Sequence, residues 1–310
     1  MAQATSTQSA IERELHIEAS PAIVYSYLTD PAKMAMWMGR EVRAEARPGG
    51  ALEIDYNLMD RMRGEYLEVV PNSRVVFSWG WSSLGDQTPP GASRVEVTLT
   101  PEGSGTRLRL VHYGLVGAEA ESHSQGWDLF LGYLAEAAQS GKPAQPNAEA
   151  LNPSETYARR LNALLCDLRY SIEGLSEQQW ARRCPGTGWS VGVTANHAVS
   201  HMGLVEFALS VAAGERSPLA DFSLDDLNAS NAKSSAASAG VTHEQVLAEL
   251  RAKGPGVVDS IKNLDPAKLG ASQKMAFAGG AEVPVAGVLE GPLLADLAGH
   301  LADIRAGLAS

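Results

Sequence analysis

The chain has little cysteine, no excess of positive charge and no leader-like start. Cysteine occurs twice in 310 residues, as Cys166 and Cys184, with no CxxC spacing. Two isolated thiols fit a reducing cytosol, where they are ordinarily buried or unreactive. Lys and Arg number 25 against 36 Asp and Glu, a net charge of -11, and the basic residues form no cluster. Phosphate neutralisation needs clustered cations, so the charge argues against non-specific nucleic-acid binding. No apolar run approaches the roughly 18–20 residues that span a bilayer. The opening "MAQATSTQSAIERELHIEAS" lacks the basic and apolar regions of a signal peptide. The chain is therefore expected to be cytoplasmic, with no membrane partner. What it does have is ordinary for a globular protein, 45% hydrophobic and 20% charged residues over a length that suits two domains.

The first half reads as strand, helix, a series of strands, then a long helix. "IERELHIEAS" alternates, and "SPAIVYSYLTDPAKMAMWM" follows as a helix with Ser20 as N-cap and Pro21 in the first turn. Strand pairs turn at Pro48–Gly50, Pro71–Ser73 and Glu102–Gly105. Val95, Val97 and Leu99 alternate with polar residues, as do Leu108, Leu110 and His112, so one sheet face is covered. In "SHSQGWDLFLGYLAEAAQ", Trp127, Phe130, Leu131 and Leu134 recur at helical spacing, which lays a long helix across the sheet. The fold class expected here is α+β, an antiparallel sheet wrapped on a long C-terminal helix, over residues 1–140. A linker, 141–153, carries Pro breaks and small polar residues.

Residues 154–310 lose the strand signal and read as an all-α four-helix bundle. Its helices are "ETYARRLNALLCDLRYSIEGL", "GWSVGVTANHAVSHMGLVEFALSVAAG", "THEQVLAELRAKGPGVVDSIKNL" and "PLLADLAGHLADIRAGLA". Thr242 and Gln245 make a capping box for the third. "LNASNAKSSAASAGV" is too small and polar for a core and reads as a loop or a weak helix. No internal repeat is found.

His197 and His201 stand one helical turn apart in the second helix, and Asp296 and His300 repeat that spacing in the fourth. A bundle that brings these helices together could gather two ligands from one and one or two from the other around a divalent ion, leaving an open position. Zinc, nickel, iron and manganese all suit two His and a carboxylate. The plain alternative makes Asp296 an exposed carboxylate and His300 a hydrogen-bonded core residue. Cys184 follows Arg182 and Arg183, whose charge would favour a thiolate; a structural thiol is the alternative.

The second half resembles the DinB-like four-helix bundle family, which includes the mycothiol-dependent maleylpyruvate isomerase type, in "GWSVGVTANH" and "DLAGHLADIR". The resemblance implies a divalent metal, zinc or nickel, held by His197, Asp296 and His300. Asp296 stands where the family usually has a histidine, and His201 is not required, serving as a possible outer residue. A bundle that has lost its metal is the other outcome of that substitution. Enzymes of the family activate a low-molecular-weight thiol or water at the metal. The first half resembles the START-like, Bet v 1-like (SRPBCC) superfamily in the branch of the activator of Hsp90 ATPase. The residues that carry it are "SPAIVYSYLTDPAKMAMWM", "RPGGALEIDY", "RGEYLEVVPNSRVVFSW" and "LRLVHYGL...GWDLFLGYL". It implies a helix-grip fold with a cavity for an apolar small molecule. Trp37, Tyr56, Met59, Trp79, Trp81, His112, Trp127 and Phe130 are the candidate lining residues, with core filling as the alternative for each. The expected function is small-molecule binding or detoxification, with the metal activating thiol or water for transfer, isomerisation or hydrolysis. A non-catalytic regulatory module with a vestigial metal site and a biosynthetic cyclase or isomerase are the rival readings. A homodimer is compatible with all three.

Overall fold

Alternation at Val95, Val97 and Leu99 becomes strand, and each of the three side chains is buried. The computed structural model describes residues 10–57, 60–85, 87–146 and 151–309. The chain divides into two compact units, Met1–Glu149 and Ala150–Ser310.

The first unit runs β1 (Ala10–Ile17), α1 (Pro21–Thr29), α2 (Pro31–Met34), β2 (Glu41–Ala44), β3 (Ala51–Asp55), β4 (Arg61–Val70), β5 (Arg74–Trp79), β6 (Ser93–Glu102), β7 (Gly105–Tyr113) and α3 (Gly117–Ser140). All pairings in its 7-stranded sheet are antiparallel, in the order β1-β7-β6-β5-β4-β3-β2. The hairpins are sequential, and β1 closes the edge by pairing with β7, Ala10 opposite Tyr113. Asn72, at φ 61, takes the left-handed position in the β4–β5 turn, a conformation Asn tolerates. Helix α3 buries Trp127, Leu131, Leu134 and Ala138 along one stripe, at the 3–4 spacing of an amphipathic helix. This is the helix grip expected from the sequence.

The helix expected after β1 is two helices. Pro31 cannot donate an amide proton, so the chain turns at Asp30, whose side chain accepts from the Ala32 amide at 2.8 Å and caps α2. Ser20 sits at the N-cap position of α1 but makes no side-chain cap. Two buried polar groups tie this corner down. The Trp37 indole donates to the Tyr27 carbonyl at 2.9 Å, and the Tyr66 hydroxyl donates to the Leu28 carbonyl at 2.9 Å.

The second unit contains α4 (Pro153–Ile172), α5 (Glu177–Trp180), α6 (Val191–Ser200), α7 (Gly203–Ala213), α8 (Leu224–Ala237), α9 (His243–Lys262), α10 (Val285–Val288) and α11 (Asp296–Ala309). Four rods pack together: α4, α6 continued by α7, α9, and α10 continued through a π-helical segment (Leu289–Ala295) into α11. The Thr242–Gln245 capping box is present, with the Gln245 amide donating to Thr242 Oγ1 at 3.2 Å and the Thr242 amide to Gln245 Oε1 at 2.9 Å. The small polar stretch takes the weak-helix alternative, as most of α8, held by a Ser223–Asp226 capping box with no buried side chain. Two local differences from the sequence reading stand out. The second rod breaks at His201 and Met202, between α6 and α7. Strand is not absent, since β8 (Ser272–Met275) and β9 (Ala281–Pro284) pair in a small hairpin turned by Gly279 and Gly280, both at positive φ. Val285–Ala309 is also a helix long and apolar enough, by length and composition, to cross a membrane, a run that counting unbroken apolar residues overlooks. Leu289, Leu293, Leu297, Leu301 and Ile304 are buried within the unit, as in the core helix of a bundle.

Candidate metal centre and ligand cup

The ring nitrogens of His197, His201 and His300 lie within 4.8 Å of one another. His197 comes from α6, His201 from its C-cap and His300 from α11. Ring centroids are 4.8 Å apart for His197–His201, 4.9 Å for His197–His300 and 5.3 Å for His201–His300. Trp189 packs edge-on against His197 at 5.2 Å. Burial pushes the pKa of all three imidazoles down, to about 3 for His201, where the two neighbouring rings add to the effect. Neutral imidazole is the form that ligates.

His201 Nδ1 is buried with no hydrogen-bond partner. An orphaned buried nitrogen costs about 1–3 kcal/mol, and coordination would remove that cost. Two nitrogens on one ion at about 2.0–2.1 Å can be no more than about 4.2 Å apart, so small ring rotations would bring the trio onto a single ion. The residues present therefore fit a divalent metal of the imidazole-preferring class.

Asp296 is not in this convergent group. It is exposed, and its charge raises the pKa of His197 and His300 against the effect of burial. With His300, Gly299, Asp303 and the Pro185–Thr187 loop it borders an open depression of about 450 Å³. Asp303 fixes that loop: its carboxylate accepts from the Gly186 amide at 2.6 Å, the Thr187 amide at 2.8 Å and the Thr187 hydroxyl at 2.9 Å. These bonds hold its own pKa low against desolvation. Cys184 is a buried thiol whose pKa burial pushes up, with Asp303 adding to the rise. Arg182 and Arg183 direct their guanidinium groups elsewhere, to the Leu308 carbonyl at 2.8 Å and the Gly188 carbonyl at 2.6 Å, and the thiol is not shifted toward thiolate.

The first unit holds a cavity of about 500 Å³ between sheet and α3. Tyr56, Trp79, Trp81, Trp127 and Phe130 line it, as the sequence suggests. Trp37 lies deeper, in the filled core around a void of about 10 Å³. Met59 lies outside the described residues. His112 is fully buried behind the lining. Trp127 Nε1 donates to His112 Nδ1 at 3.0 Å, so the ring proton is on Nε2, which donates to Ser93 Oγ at 2.9 Å while that hydroxyl donates to the Trp79 carbonyl at 3.0 Å. With both nitrogens satisfied and its pKa pushed down by burial to about 3, His112 is a neutral structural residue.

Sequence reading missed His123, which does line the cavity. Its Nδ1 donates to the Glu119 carbonyl at 2.8 Å and its Nε2 accepts from the Trp81 indole at 3.0 Å, so it holds the opposite tautomer to His112. Its place on α3, one turn before Trp127, is the signal that could have found it.

Residues 18–139 match the family model of activator of Hsp90 ATPase homolog 1-like proteins, and residues 161–305 match the mycothiol maleylpyruvate isomerase N-terminal domain. Each of the two units thus carries a match to one of these families. Among solved structures, its AHSA1-like half is similar to RHE_CH02687 of Rhizobium etli, at 38% identity over 48% of this chain and 93% of that one, TM-score 0.38. It is also similar to DynU16, a protein of the dynemicin biosynthetic locus, at 26% identity over 44% of this chain and TM-score 0.40. The match spans 50% of DynU16. The Aha1 dimer of Colwellia psychrerythraea is similar at 19% identity, over 43% of this chain and 98% of that one, TM-score 0.39. No curated protein matches the chain at a significant level.

Proposed function

We propose that this protein captures an apolar small molecule in the AHSA1-like cup and holds a divalent metal, zinc or nickel, through His197, His201 and His300 in the helical unit. The convergence of three neutral imidazoles, one with an orphaned nitrogen, carries the metal assignment. When bound, such an ion supplies Lewis acidity that lowers the pKa of a thiol or water at neutral pH, for transfer, isomerisation or hydrolysis. The chain's own residues do the rest. Trp189 holds the His197 ring from one side. Asp303 fixes the loop that borders the depression beside His300, where a hydrophilic co-substrate thiol can approach. Asp296 supplies negative charge at the rim rather than a bond to the metal, and so favours the cation electrostatically.

Elemental analysis after incubation with zinc or nickel and desalting tests this. About one equivalent is expected for the native chain, and less than about a tenth for His197→Ala and His300→Ala. His201→Ala should lose the metal and Asp296→Ala should keep it; the reverse pattern would assign the carboxylate as third ligand. Native protein holding less than about a tenth of an equivalent, with no rise in Tm on metal addition, would refute the centre and leave a non-catalytic binding module.

A further inference from the structure

The cup's walls are aromatic, and the charged side chains among its described lining residues are all acidic. The rings meet at tilted angles rather than stacking flat: Tyr56–Phe130 at 5.3 Å, Trp79–Trp127 at 5.3 Å and Tyr56–Trp81 at 5.6 Å. The faces of an aromatic ring carry partial negative charge and attract cations, most strongly where water is excluded. Asp60 and Glu119 line the same space, and no Lys or Arg does so among the described residues.

Both carboxylates are fixed in place. Asp60 accepts from the Asn57 side-chain amide at 2.6 Å, and Glu119 accepts from the Thr88 amide at 2.7 Å and from the Thr88 hydroxyl. His123 supplies no compensating positive charge, since both its nitrogens are engaged and its burial favours the neutral ring. The guanidinium groups of Arg61 and Arg63 are directed to Asp55, at 3.6 and 2.7 Å, and line none of the cavity. An anionic ligand would enter a partly desolvated space with two carboxylates and no cation, an arrangement that is costly.

We infer that the cup selects polycyclic or aromatic ligands bearing a protonated amine, and rejects aromatic carboxylates and fatty acids. The inference rests on the cup being a ligand site, as proposed above, and adds the charge class of what it takes. The aromatic body would fill the space between Trp79, Trp127 and Phe130, with the ammonium directed to one of the two lining carboxylates, Asp60 or Glu119. A cavity of about 500 Å³ accommodates a body of three fused rings.

Three probes on one skeleton test it against the full-length protein: 9-(aminomethyl)anthracene, 9-anthracenemethanol and anthracene-9-carboxylate. Binding is read at pH 7 from tryptophan quenching, with a chelator present so that the amine finds no metal in the helical unit. The amine should bind about tenfold more tightly than the alcohol, with the carboxylate weakest. The ratio of amine to alcohol affinity should fall toward one in Asp60→Asn or in Glu119→Gln. Should these variants fail to fold, added salt must weaken the native protein's amine binding more than its alcohol binding. An alcohol or carboxylate that matches the amine would overturn the charge assignment while leaving the cup as a ligand site. Absence of binding by all three would overturn both.

Discussion

His112 makes the AHSA1-like unit acid-sensitive, and the size of the effect follows from its surroundings. The ring is fully buried, accepts from Trp127 at Nδ1 and donates to Ser93 from Nε2. Protonation would put a second proton on Nδ1, where the Trp127 indole already donates, so the charged form loses a hydrogen bond as well as its hydration. The folded pKa is about 3, against about 6.5 for an unfolded histidine. Because the folded value is depressed, the stabilising effect is fully present above pH 6.5 and is lost as pH falls from there toward 3. Over that window the unfolded state binds one more proton, and stability falls by up to about 1.4 kcal/mol per pH unit. Between pH 6 and pH 4 the loss is about 2–3 kcal/mol, a large share of the few kcal/mol that hold a domain folded. Urea titration of the full chain, followed by the fluorescence of its tryptophans, measures this. Four of the six, Trp37, Trp79, Trp81 and Trp127, report on this unit. His112→Gln removes the titration while keeping an acceptor and a donor. It should start less stable at pH 7 by about 1–3 kcal/mol and then show a distinctly shallower decline with acid. An identical pH slope in native and variant protein would refute the reasoning.

Two further substitutions probe the scaffold. Asp303→Ala removes the acceptor for Gly186 and Thr187 and should cost the helical unit about 2–3 kcal/mol, seen as a fall of several degrees in its Tm. Gly64→Ala would place a Cβ 1.9 Å from the Ser78 carbonyl oxygen across β4 and β5. The strands must part to admit it, so a loss of about 3 kcal/mol or more, or insoluble expression, is expected; a Tm within two degrees of native would count against the close approach.

The sheet was legible because strands such as β6 alternate cleanly and its turns carry Gly, Pro and Asn at the positions that need them. Helix caps such as Thr242 with Gln245 were legible for the same local reason. The break at His201 was not, since no Pro stands there, Gly203 beside it is compatible with a continuous helix, and the apolar period runs on through it. The last helix reads from the sequence as starting at Pro292, where a proline suits a first turn; helical structure in fact begins at Val285 and passes Pro292 inside a π-helical segment that sequence spacing does not reveal. The candidate centre was half visible. The i,i+4 pairs pointed to the two helices whose histidines converge, while whether His201 or Asp296 stands beside them depends on how the rods are rotated about their axes. That rotation is a tertiary property. Similarly, Trp37 and His112 carry the residue types of a pocket wall, and only packing puts them behind it.

The opposite tautomers of His112 and His123 give this protein an intrinsic spectroscopic label. In a protein enriched in ¹⁵N at histidine, one ring of the cup should show its protonated nitrogen at Nε2 and the other at Nδ1. Only the second is exposed to whatever enters, since His123 faces the cavity and His112 lies behind it. A guest that draws the Trp81 indole away from His123 frees Nε2 and shifts its resonance, while His112 stays as an internal reference. Occupancy of the cup can then be read from two nitrogens without modifying either protein or guest.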